Sequence, residues 1–77
     1  MNIEERIIEV FKNIFNLSSS ENFEALTIKH LNNWDSINHL ILVVSLEEEF
    51  LINFNENEIP NMHSFLTICD IIKSKVK

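Results

Sequence analysis

The stretch Trp34-Asp35-Ser36-Ile37 carries the most reactive possibilities in this 77-residue chain. A serine at a loop-to-helix junction presents its hydroxyl to solvent, where another enzyme can reach it. Serine is also among the commonest helix N-caps, so capping is the default reading of Ser36 taken alone. His39 follows one turn later and invites comparison with a nucleophile and its base. No Asp–His–Ser chain order accompanies the pair, oxyanion-hole glycines are lacking, and a shared helix face does not by itself create the geometry of a general base. Serine hydrolysis is therefore a poor reading. The chain contains no glycine at all, which excludes Gly-rich phosphate loops.

Other reactive side chains read more simply. Cys69 is the single cysteine, so no intramolecular disulfide is available, and it falls on an apolar stripe where a small buried hydrophobe is expected. His30, His39 and His63 lack the Cys/His spacing of a zinc site, and no metal is expected. Glu47, Glu48 and Glu49 form a charge run that is read either as a solvated helix face or as a docking surface for basic partners. Glu49 fits solvation or local pairing better; Glu56 and Glu58 could extend the docking surface, but capping and solubility explain them as well.

These residues need elements to hold them. Ile3, Ile7, Val10, Phe11 and Ile14 fall at three- and four-residue steps, which predicts a helix from Ile3 to Phe15. Asn2 with Glu5 gives it a capping-box start. From Leu17 to Trp34 the periodicity breaks, and the stretch reads as a long crossover pinned by Leu26, Ile28 and Leu31. A second helix is expected from Asp35–Ser36 to about Leu51, capped by Asp35, with Ile37, Leu40, Val43, Val44, Leu46 and Phe50 as a wide apolar face. Glu47 to Glu49 at its C-terminus oppose the helix dipole. Asn55 to Glu58 look like a short third helix limited by Pro60. A last helix is expected from Ser64 to Lys75, with Phe65, Ile68, Cys69, Ile72 and Val76 inward. Without glycine, positive-φ positions should fall to the eleven asparagines.

Twelve acidic against six basic residues give a formal charge of −6, the wrong sign for binding nucleic acid and the right one for basic protein partners. The charged residues between Met1 and Phe15 interrupt any signal-peptide core, and no apolar run reaches membrane-spanning length. A monomer in a reducing, cytoplasmic setting is expected, with no membrane insertion.

The Asp35-Ser36-Ile37 tripeptide, at its distance from Leu46-Glu47-Glu48-Glu49-Phe50 in a small acidic chain, resembles the acyl carrier protein family. Members of that family carry Asp-Ser-Leu or Asp-Ser-Ile at the start of the second helix and a Leu-Glu-Glu-Glu-Phe-like segment near its end. The likeness covers nearly the whole chain. It implies an all-α fold, an irregular four-helix bundle of three long helices and one short, with a long loop between helices 1 and 2. Residues 1–77 would form a single carrier domain. By position, Ser36 would accept 4′-phosphopantetheine from coenzyme A, and the arm's thiol would hold cargo as a thioester. Asp35 would help present Ser36 to a phosphopantetheinyl transferase (holo carrier protein synthase) and its magnesium. A phosphodiester on Ser36 would sit where a helix N-terminus favours an anion.

Ile37, Ile41, Glu47 and Glu48 would dock acyl-loading and acyl-transferring enzymes through their basic patches. Val44, Leu46, Met62, Ile68 and Ile72 are the candidates to line an acyl pocket in the core. The implied function is non-enzymatic carriage of acyl intermediates, in fatty-acid synthesis or a specialised acyl-transfer pathway. Alternatives are an aminoacyl (D-alanyl or peptidyl) carrier and an unmodified helical interaction module. Asn33-Trp34 stands where many fatty-acid carriers have a glycine, and Asn38 and Ile41 follow where acids are usual. Trp34 before Asp35 looks more like free-standing specialised carriers, such as D-alanyl carriers or those tied to surface-polysaccharide pathways.

Overall fold

Three helices and their caps account for most of the chain in the computed structural model, which describes residues 2–76. Helix α1 spans Ile3–Phe15; the Asn2 side chain accepts the Glu5 N–H at 2.8 Å, and the Glu5 carboxylate accepts the Asn2 N–H in return. Asn16 ends it in the left-handed conformation, φ 57°, as an asparagine should in a chain without glycine. Helix α2 spans Ser36–Phe50 and helix α3 spans Phe65–Lys75, with Asp35 and Ser64 as their N-caps.

The chain is all-helical, as expected, with three α-helices among the described residues rather than three long and one short. In place of the short helix there is a 3-10 turn, Ile59–Asn61. The reason lies in the residues that follow it: Met62 is fully buried and Ser64 is already extended to cap α3, so no second turn fits between them. Asn55 and Glu58 close a turn before it, the Glu58 carboxylate accepting the Asn55 N–H at 2.8 Å. A second 3-10 turn, Phe23–Ala25, interrupts the long crossover.

One buried cluster joins the three helices. Helix α1 contributes Ile7, Val10, Phe11 and Phe15, and α3 contributes Phe65, Ile68, Cys69 and Ile72, with Val76 half-buried beside them. The inner face of α2 is Leu42, Val43, Leu46 and Phe50. This corrects the wide face expected from sequence, because Ile37, Leu40 and Val44 point outward. A helix apolar on most of its circumference gives no periodicity by which to choose its inner side.

The crossover is anchored by Phe23 and Leu26, both buried, while Leu31 packs at the edge and Ile28 stays exposed. An isolated antiparallel bridge between Thr27 and Ser64 explains why Ile28 is held outside. Its N–H donates to the His63 carbonyl at 2.8 Å, and the Phe65 N–H donates to the Leu26 carbonyl at 3.0 Å. Phe11 packs edge-on against Trp34 and Phe65, with ring centroids 5.5 and 5.4 Å away. Each such pair adds about 0.5–1.5 kcal/mol beyond the area it buries.

Ion pairs stitch the elements at the surface. Arg6 meets Glu49 at 2.9 Å, donates to its carbonyl at 2.6 Å and lies 4.3 Å from the Phe50 ring centroid. Lys73 meets Glu4 at 2.6 Å, and Lys75 meets Glu58 at 2.8 Å. Among the described residues no helix is long and apolar enough to cross a membrane.

Candidate functional site

The corner that presents Ser36 is built by hydrogen bonds from three directions. The Asn33 side chain donates to the Phe15 carbonyl at 3.3 Å, tying the corner to the end of α1. The Asn38 side chain reaches back to the Asn33 carbonyl at 2.6 Å. Trp34, buried against Phe11 and Phe15, donates its indole N–H to His39 Nδ1 at 3.0 Å. An indole can only donate, so Nδ1 must be the acceptor and the proton sits on Nε2, which donates to the Ile59 carbonyl at 3.1 Å. Both ring nitrogens are thus committed, and His39 pins the corner to the 59–61 turn.

Capping falls to Asp35. Its carboxylate accepts the Asn38 N–H at 2.8 Å, which makes Ser36 the first helical residue. Ser36 is exposed, and among the described residues its hydroxyl forms no hydrogen bond. The ordinary explanation for a serine at a helix start is therefore taken up by its neighbour. The backbone N–H groups of the first helical turn point towards the same end of α2, where partial positive charge favours an anion.

From Ser36 an apolar strip runs along the outside of α2. Ile37 is 71% exposed, Leu40 59%, Ile41 46% and Val44 51%. Their spacing places them on one face. The strip ends at Glu48, which is exposed and lines a shallow cleft with Leu40, Ile41, Val44 and Ser45. Glu47 faces elsewhere: it is half-buried, and its carboxylate accepts the Phe54 N–H at 2.9 Å. Glu49 is paired with Arg6.

A groove of about 440 Å³ opens beside Ser36, lined by Ile28, Trp34, Asp35, Ser36, His39 and Leu40. None of the acyl-pocket candidates touches it. Leu46, Met62, Ile68 and Ile72 are all fully buried in the common cluster, whereas Val44 lies on the outer face and does not join them. Leu40, Ile28 and His39 are the residues near the site that sequence reasoning missed. The sequence pattern assigns Leu40 inward, Ile28 to the core and His39 no role.

Cys69 lies in the core, where burial above all, with Glu4 adding to it, pushes its thiol up to about 11. It stays protonated and packs as a small apolar group. No group of three or more His, Cys, Asp or Glu among the described residues is placed to hold a metal. A scan of the sequence against models of known protein families matches none.

Proposed function

We propose that this protein is a carrier that takes a 4′-phosphopantetheine arm on Ser36 and presents acyl or aminoacyl thioesters to separate enzymes. One observation carries the reading: Asp35 caps α2, leaving at the first helical position an exposed Ser36 hydroxyl that bonds to none of the described residues. A hydroxyl held by a hydrogen-bonded corner, yet bonded to none of the described residues, suits modification by another protein better than it suits stability. In loading, the Ser36 oxygen attacks the phosphorus of coenzyme A's diphosphate that bears the pantetheine. A P–O bond forms to serine, the bond to the nucleotide's phosphate breaks, adenosine 3′,5′-bisphosphate leaves, and a base on the transferase takes the hydroxyl proton.

The chain supplies position rather than catalysis. His39 lies one turn from Ser36, but its Nδ1 accepts from Trp34 and its Nε2–H is spent on the Ile59 carbonyl, so neither nitrogen is free to serve as a base. The outward strip Ile37, Ile41 and Val44, ending at Glu48, offers partners an apolar face with an acidic margin. Such charge complementarity speeds encounter with a basic partner without demanding a permanent complex.

The same strip favours a second reading, an unmodified helical module that binds partners through α2 alone. Intact mass separates the two after incubation with coenzyme A, magnesium and a promiscuous phosphopantetheinyl transferase. The carrier reading expects one arm on the native protein and none on Ser36→Ala. Absence of an adduct, or an adduct on the alanine variant, would overturn it.

A further inference from the structure

The groove beside Ser36 has an apolar wall that no part of the described chain covers. Ile28 and Leu40 line it with exposed side chains, buried Trp34 lines it from the core side, and Ser36 itself is among the lining residues. Whatever is bonded to the Ser36 oxygen therefore starts at this groove. On a phosphopantetheine arm the phosphate is followed by one methylene and then by a quaternary carbon bearing two methyl groups, before the first amide. The most apolar piece of the arm therefore lies within a few bonds of a groove lined in part by Ile28, Trp34 and Leu40.

We propose that this groove seats the pantoyl segment of the arm, with its geminal methyls against Ile28, Trp34 and Leu40. The inference rests on the assignment of the arm to Ser36. The groove's volume of about 440 Å³ exceeds what a dimethyl segment needs and lies within the usual range of small-ligand sites. Part of its lining is held in advance: the Ile28 backbone is fixed by its N–H to the His63 carbonyl, and the His39 ring is fixed at both nitrogens between Trp34 and Ile59. The arm is tethered and cannot diffuse away, so the cost of bringing the segment to the groove is already met and a small apolar contact suffices to hold it. Leu40 belongs both to this groove and to the outward strip of α2. A seated arm thus alters the edge of the face that partners meet.

The test uses the full chain, loaded enzymatically from isotope-labelled coenzyme A and checked by intact mass. Nuclear Overhauser cross-peaks between the geminal methyl protons and the methyls of Ile28 and Leu40 are expected. In Ile28→Ser, which changes an exposed side chain, removing one apolar wall should lower the seated-to-free ratio about fivefold and weaken the Leu40 cross-peaks accordingly. A loaded protein without these cross-peaks overturns the seat and leaves the Ser36 assignment standing. Leu40 cross-peaks that persist unchanged in Ile28→Ser also overturn it. Failure of Ser36 to acquire any mass overturns the assignment itself and the seat with it.

Discussion

Glu47 and Glu48 are neighbours in sequence with opposite occupations. The Glu47 carboxylate accepts the backbone N–H of Phe54, a buried residue beyond the end of α2, and so holds the return of the chain against the core. Glu48 projects into solvent at the foot of the apolar strip. Removing a hydrogen bond to a charged acceptor and leaving a half-buried donor unpaired costs about 1–3 kcal/mol. Glu47→Ala should lower unfolding stability in urea by that amount, while Glu48→Ala should fall within about 0.5 kcal/mol of the parent. Equal losses for the two would remove the distinction. Sequence alone could not separate them, because the partner of Glu47 lies past a chain reversal at a residue with no special composition. Asp35 was legible for the opposite reason: a cap bonds an N–H three residues on, which sequence spacing encodes directly.

Helix starts were the most readable features for the same local reason. Asn2, Asp35 and Ser64 each accept the N–H of the third helical residue, and the helices they open begin where those side chains predict. What spacing could not supply was the inner side of α2 or the fate of the 55–61 stretch, both decided by distant packing. The end of α2 is also unexpected. Leu51 takes the left-handed conformation, φ 55°, at 89% exposure, in a position that suits glycine or asparagine. A branched side chain there costs about 1–2 kcal/mol against the following carbonyl, and so little of it is buried that its loss forfeits almost no packing. Leu51→Gly should therefore raise stability by about 1 kcal/mol after the greater backbone entropy of glycine is deducted, seen as a higher urea midpoint with unchanged slope. A lower midpoint would mean that Leu51 makes contacts worth more than its backbone strain.

At the scale of the whole molecule, acidity and cross-links between elements set the response to pH. Among the groups with displaced titration, the Glu58 carboxyl is held below its ordinary value, first by the Asn55 N–H and then by Lys75. A depressed carboxyl contributes stability that is fully present above its unfolded value and disappears as pH falls through the lower folded one. The thermal midpoint should accordingly decline below about pH 5, and Glu58→Gln should make that decline shallower. A parallel decline in the variant would assign the acid sensitivity to other carboxylates. The all-helical class was readable from glycine-free, 3.6-period stretches, and one apolar cluster now unites them. The order in which the crossover lies on that cluster was not, since Phe23 and Leu26 are placed by a bridge to Ser64 some forty residues away rather than by local pattern.

The chain has a single tryptophan, and it occupies the corner described above: buried, edge-on to Phe11, its indole N–H held by His39, two positions before Ser36. The molecule therefore carries an intrinsic optical label at its most informative point. Ultraviolet emission from Trp34 arises from one environment only, so unfolding and events at the neighbouring hydroxyl can each be followed on the native protein without attaching a dye.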